Sequence, residues 1–383
     1  MTRPDQPRPD QPRPDQHPRR RVLLAVAAFV ALTVVAAACG SSGSSRATTG
    51  TTDGTPATTE DLAGPLTLVT HDSFAVSDSV LQAFEAQTGI QVKVLHEGDA
   101  VEMVNKAILT KDNPEGDVLF GIDNNTLTRA YDAGLFEPYA AAGLDQIDQQ
   151  YQLDDQQRVT PIDHADVCLN YDVGWFDQHH IAPPQSMDDL TKPAYKGLLV
   201  VENPATSTPG LAFMLASIDN SGQDGWQDYW KALRANGVQV VDGWEQAYNT
   251  AFSGSAGKGD KPIVVSYATS PPAEVLNASS PPATAPTAVV PGSCFRQIEF
   301  AGVLSGTRRP AAAQAFIDFM LSRPFQEDMP LQMYVEPVNR QATEPDVFTK
   351  YVSTPGVLHQ LDPTDIGNNR DTWIDQWTTT VLR

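Results

Sequence analysis

From Leu66 onward, short apolar runs alternate with stretches in which apolar residues recur every third or fourth position. The run "LTLVT" reads as a strand. In "SDSVLQAFEAQTG", Val80, Leu81 and Phe84 share one helical face, with Ser77 placed to cap the helix and Gly89 to stop it. "IQVKVL" predicts a strand, "VEMVNKAILT" a helix, "GDVLFGI" a strand, and "NTLTRAYDAG" a helix ending at Gly134. Short links between alternating elements imply an α/β unit with a largely parallel sheet. Loops that follow such strands gather at one edge, where ligands bind. His71-Asp72-Ser73, Gly98-Asp99-Ala100 and Asp123-Asn124-Asn125 are thereby expected on one rim.

The middle of the chain repeats the style. "GLLVVENP" predicts a strand, "TPGLAFMLASI" and "GWQDYWKALRAN" helices, and "VQVVDGW" a strand and turn. "KPIVVSYATSPP" predicts a buried strand running into a loop. "AGVLSG" and "PAAAQAFIDFMLS" close the series with a strand and a helix opened by Pro310. Two α/β lobes joined by crossing strands are the expected architecture.

The N-terminus is different in kind. A five-residue Pro/Asp/Arg repeat, Arg19-Arg20-Arg21 and an apolar run over 22–38 form a secretory signal too short for a membrane span. "VAAACG" resembles a bacterial lipobox, which makes Cys39 the expected lipid-carrying first residue of the mature chain. Residues 39–64 are a Gly/Ser/Thr linker without hydrophobic period. The chain is therefore expected on the outer face of the cell membrane.

Of 26 basic and 47 acidic residues, six arginines and three aspartates fall in the leader, so 20 basic face 44 acidic residues from Cys39 on. A body of charge −24 argues against nucleic acid and mildly suits a cationic ligand. Two further cysteines, Cys168 and Cys294, form an even pair in an exported chain; a disulfide is the simpler reading and a catalytic thiol the sharper one. Asp163, His164 and Asp166 look metal-like in composition, yet lack zinc spacing and read as a polar turn. Asp99 and Asp123 each read as a helix cap or a ligand contact. The hydroxyls of "NPATSTPGLAF" stand at a helix start that either caps itself or receives an anionic or polar ligand group. No P-loop is present, so nucleotide hydrolysis belongs elsewhere.

The strings "HDSF", "GIDNN", "AGLFEPY", "TSTPGLAF", "GWEQAYN", "VVSYATSPP", "AAQAFIDFMLSRPFQ" and "RDTWIDQW" occur in order over residues 66–383. In these the chain resembles the thiamine-binding periplasmic proteins, the substrate-capturing component of thiamine ABC importers. The resemblance implies the bilobal type II periplasmic-binding-protein fold; lobe 1 is expected over 65–165, lobe 2 over 166–290, and the return to lobe 1 together with C-terminal helices over 291–383. It implies capture of thiamine or a phosphate ester by a monomer, delivery to an ABC permease, and neither cofactor nor metal. Carried over by motif, the ligand contacts are Asp99, Ala100, Ser207, Thr208, Trp244, Tyr267, Ala268, Thr269, Ser270 and Pro271. His71 stands where the family has tyrosine, Ala273 where it has another, and Tyr334 where it has tryptophan; His71 and Tyr334 join the expected contacts. Thiamine presents a cationic thiazolium, which suits aromatic faces such as Trp244 and Tyr267 and a carboxylate such as Asp99.

Two other readings follow from the same fold. Type I thiaminases use a cysteine nucleophile, and Cys168 in "DHADVCLNYD" is the candidate. Ferric-iron binding proteins typically present adjacent tyrosines, and no Tyr-Tyr pair occurs here.

Overall fold

The computed structural model describes residues 64–254, 259–280, 282–352 and 356–383. The expected signal sequence, the Cys39 lipidation site and the linker before Gly64 lie outside the described residues.

The first elements follow the apolar pattern closely: β1 (Leu66–Thr70), α1 (Asp78–Thr88), β2 (Val92–His96), α2 (Ala100–Leu109), β3 (Val118–Asp123), α3 (Leu127–Ala133) and β4 (Phe136–Glu137). Gly89 and Gly134 end α1 and α3 in the left-handed conformation. Ser77 holds the α1 N-cap position, but its hydroxyl donates to Asp328 rather than capping. The long strand β5 (Thr160–Asp172) then crosses the molecule to α4 (Val173–His179), β6 (Leu199–Glu202), α5 (Thr208–Ser221), α6 (Trp226–Ala235), β7 (Gln239–Val241), α7 (Trp244–Gln246) and β8 (Ile263–Tyr267). A second crossing strand, β10 (Cys294–Leu304), follows α8 (Ser270–Asn277) and β9 (Thr287–Val289). The chain closes with α9 (Pro310–Met320), α10 (Arg323–Gln332), β11 (Glu336–Pro337), α11 (Asp346–Tyr351), β12 (Leu358–His359) and α12 (Pro363–Val381).

One continuous sheet runs β2-β1-β3-β10-β5-β8-β6-β7. Its two ends are parallel, β1 with β2 and β3, β6 with β7 and β8, while β5 and β10 pair antiparallel at the centre. Each central strand feeds two apolar cores. Ile162 and Ala165 of β5 and Phe300 of β10 pack with Phe84, Phe120 and Phe316; Val167, Leu169 and Phe295 pack with Phe213, Trp226 and Trp230. Helix α5 is buried from Thr208 through Ile218, so it reads as apolar all round rather than amphipathic. It lies so near β6 that a Cβ at Gly210 would stand 2.6 Å from the Glu202 carbonyl oxygen.

Four expectations are corrected. The loop after "IVVSY" is helix α8, with Pro271 and Pro272 in its first turn, where their missing N–H groups leave no bond unmade. Asp163, His164 and Asp166 belong to β5 and not to a turn. Trp244 opens a short helix instead of lying in a turn. Residues 291–383 return to the first core through β10, α9 and α10, but α12 does not: Trp373 and Trp377 are buried in the second core, with Trp377 edge-on to Trp230 at 5.3 Å.

Cys168 and Cys294, both buried, form a disulfide that ties β5 to β10 where the two strands pass between the cores.

Candidate functional site

A cavity of about 370 Å3 opens at the centre of the sheet, at the ends of β1 and β8 and over interior positions of the crossing strands β5 and β10. This volume suits a small organic molecule. Nine of the twelve expected contacts line it: His71, Asp99, Ala100, Thr208, Trp244, Tyr267, Thr269, Ser270 and Tyr334. Ser207, Ala268 and Pro271 do not. Ser207 is fully buried behind the wall, and Ala268 is buried against the disulfide, its N–H bonded to the Asp166 carbonyl.

Asp99 organises one corner. It caps α2, its Oδ1 accepting the Ala100 N–H at 2.7 Å and the Thr208 N–H at 3.2 Å, while Oδ2 accepts the Trp244 N–H at 3.0 Å. One carboxyl group thus gathers the starts of α2, α5 and α7. The α5 start, read from sequence as a place for an anionic or polar ligand group, is met here by the protein's own Asp99. Burial lifts the pKa of Asp99 to about 6, against the opposing pull of the Trp244 N–H, the Ser207 hydroxyl and the Ala100 N–H.

Aromatic faces form the next wall. Trp244 stacks on Tyr248 at 5.1 Å and 12°, with Tyr267 tilted beside it at 6.1 Å. The Trp244 indole donates to Ser266 Oγ at 3.0 Å, and the Tyr248 hydroxyl donates to Glu274 at 2.7 Å, so both rings are pinned. Opposite them, Tyr334 has a left-handed backbone (φ 57°), an uncommon conformation for a bulky residue, and its hydroxyl pairs with the Asn277 amide at 2.9 Å. That contact joins the segment after α10 to α8 across the mouth.

The floor is polar. His71 Nε2 lies 3.7 Å from Glu299, and burial with His96 nearby holds the ring down to about 4, so His71 is neutral at ordinary pH. Its seat depends on Gly121, whose φ of +98° and missing side chain leave room: a Cβ there would stand 2.3 Å from the imidazole. Glu299 and Asp163 are both pushed upward in pKa, chiefly by burial and then by neighbouring carboxyl groups. Asp123 also rises, to about 6, but it is bonded to Asn125 and Thr126 at the entry to α3 and does not line the cavity. In all, six carboxyl groups (Asp72, Asp99, Asp163, Glu245, Glu274 and Glu299) and no lysine or arginine are among the described lining residues.

Sequence reasoning did not single out Tyr248, Glu274, Gln297 or Glu299, and it read Asp163 as a turn residue. Signals existed for several. Glu299 is a lone acid within the apolar stretch of "CFRQIEFAGVL", an expensive placement unless it is used or neutralised. Tyr248 follows Trp244 by four positions, the spacing that stacks two residues on one helical face.

Comparison with known proteins agrees with this architecture. The family described as bacterial extracellular solute-binding protein matches residues 113–355. The thiamine-binding periplasmic protein of Escherichia coli (strain K12) is 30% identical over 327 residues, covering 83% of this chain and 94% of that protein. Among solved structures, a periplasmic thiamin binding protein aligns with a TM-score of 0.74 at 29% identity, over 83% of this chain and 96% of the other. Iron-bound HitA from Pseudomonas aeruginosa aligns with a TM-score of 0.65 at 20% identity, over 82% of this chain and 99% of the other, a likeness of fold alone. With its two cores, its crossing strands and its central cavity, the chain belongs to the bacterial extracellular solute-binding proteins of the bilobal type II fold.

Proposed function

We propose that this chain captures thiamine, or a phosphate ester of it, outside the cell membrane and delivers it to an ABC permease. The observation that carries this reading is the cavity's composition: six carboxyl groups, stacked aromatic rings and no lysine or arginine among the described lining residues. A fixed organic cation donates no hydrogen bond, so aromatic faces and carboxylates are the groups that hold it. Each cation–π contact contributes roughly 0.5–2 kcal/mol. The aminopyrimidine of thiamine supplies donors for the buried acids of the floor, and the hydroxyethyl arm fits the hydroxyl-rich corner of Thr208, Thr269 and Ser270. The relatives named for thiamine support the same cargo. Lipid attachment at Cys39, and action as a monomer, complete the reading.

Closure of the two lobes over the ligand is the step that would present both to the permease. The Tyr334–Asn277 pair already bridges the mouth in this structure and is a contact that closure retains. The thiaminase alternative needs a free thiol at Cys168, whereas that sulfur is bonded to Cys294 and buried.

The test is calorimetric titration with thiamine, followed by mass analysis of the recovered ligand. Binding at one-to-one stoichiometry with intact thiamine is expected. Cleaved thiamine, or no binding, would overturn the proposal.

A further inference from the structure

The register of the central strands places three acids in one row. Glu299 of β10 stands directly opposite Asp123 of β3 on one side and opposite Asp163 of β5 on the other. Directly opposed residues of antiparallel strands project to the same face, about 5 Å apart at Cβ, and like charges so placed repel. All three are buried. The row is not uniform, however. Asp123 is satisfied by the Asn125 N–H and side-chain amide and by the Thr126 hydroxyl, at 3.1, 2.9 and 2.9 Å. Glu299 receives a single amide, from Gln297 at 3.3 Å. Neither oxygen of Asp163 receives an N–H or hydroxyl from any described neighbour, so the facing carboxyl of Glu299, when protonated, is its available donor. Asp163 and Glu299, unlike Asp123, open onto the cavity.

Among the described residues no cation compensates the pair; Arg370 of α12 acts on Asp123 instead. The groups facing the pair are neutral His71 from the end of β1, Asp123 from β3, Asp99 from the α2 start, Tyr267 from β8 and Gln297 on β10 itself. Strand β11 sets Pro337 opposite Asp163, with Glu336 one position along beside His164. Arg296 is taken up by Asp166. Two carboxyl groups held together without a cation cannot both ionise near neutral pH, and burial and mutual repulsion both drive them to keep a proton.

Resting on the thiamine reading above, we propose that Asp163 and Glu299 hold one proton between them in the empty protein and that this pair is the charge-selecting floor of the site. A fixed organic cation entering the cavity supplies the positive charge that the proton supplied before. The O–H bond of the pair then breaks, the proton passes to a buffer base in solvent, and both carboxylates stay behind ionised against the cation. A neutral molecule of similar size leaves the proton where it is and gains no such attraction. Selection for charge is thus built into two residues that approach each other only through strand register.

The experiment is calorimetric titration of the intact chain at pH 7 in buffers of differing protonation enthalpy, which counts protons released per ligand bound. The probes are thiamine and thiochrome, its uncharged tricyclic oxidation product. At pH 7 Asp99 and Asp123, raised only to about 6, are already mostly ionised and contribute little to the count. The expected result is release of close to one proton with thiamine and none with thiochrome. Glu299→Gln and Asp163→Asn should each abolish the release and weaken thiamine by about tenfold or more, with thiochrome far less affected. Thiamine binding without proton release overturns the inference and leaves the capture reading intact. Equal proton release in both variants overturns it in the same way. Failure of thiamine to bind at all sinks the capture reading instead. The proton count on the unaltered chain needs no variant to fold.

Discussion

Asp99 offers a sharp test, because the structure assigns it opposite effects on stability and on binding. Its pKa rises from the usual 3.8 to about 6, with burial as the largest cause. At roughly 1.4 kcal/mol for each tenfold change in acidity, keeping this group ionised in the empty protein costs about 3 kcal/mol. The sign follows from proton linkage: the folded chain holds the proton more tightly than the unfolded one, so stability is present at low pH and is lost as pH rises from 3.8 through about 6. Asp99→Asn removes the titration. The asparagine amide then faces the Trp244 N–H, a donor against a donor, which is a constant penalty at every pH. Comparing denaturant unfolding of both ligand-free proteins near pH 4 and near pH 8 cancels that penalty. The unaltered chain should lose about 2.5 kcal/mol more than the variant over this span; acids that do not feel Asp99 cancel, and Glu202 and Glu299, whose protons its charge helps to hold, move the difference in the same direction. Binding should move the other way. A counter-charge about 5 Å from a cation in an effective dielectric near 20 contributes about 3 kcal/mol, so thiamine should bind the variant about 100-fold more weakly at pH 8. Parallel stability curves for the two proteins, or undiminished thiamine affinity in the variant, would refute this account of Asp99.

Three further outcomes are expected. Trp244→Ala removes the ring that Tyr248 and Tyr267 hold in place and should weaken thiamine by roughly 1–2 kcal/mol in calorimetry, whereas Trp244→Phe should retain most of the affinity. Replacing both Cys168 and Cys294 by alanine opens a link across 126 positions and should cost about 2–4 kcal/mol in denaturant unfolding; thiamine should still be recovered intact, and a cysteine-dependent loss of thiamine cleavage would contradict the binding role. Gly210→Ala drives a methyl against the Glu202 carbonyl, which should lower thermal stability by about 1–3 kcal/mol and displace the α5 start that meets Asp99.

Much of the site was legible because several of its residues sit where elements begin or end. Asp99, Thr208, Trp244 and Tyr267 are all at such junctions, and turn and cap chemistry leaves local marks there. The fold was legible for a related reason. Burial imposes a period of two or 3.6 on apolar residues, so β1 to α3 and β6 to β8 could be traced within a few residues of their bounds. The chain's end was harder: the tryptophans of α12 mark burial, but nothing local says which of two cores they enter.

Taken alone, the sequence determined the alternating α/β order, the two-lobed plan, the acidic balance and several of the residues that line the cavity. It also supplied the family likeness through strings that keep their order. Tertiary structure alone decided what occupies the α5 start, since Asp99 comes from 109 positions away. It alone placed Asp163 and Glu299 face to face. Periodicity reports which side of a strand is buried, but not which residue of another strand stands opposite, and that register is set by pairing across the whole sheet. The charge of the cavity floor therefore emerges only when β5 and β10 come together.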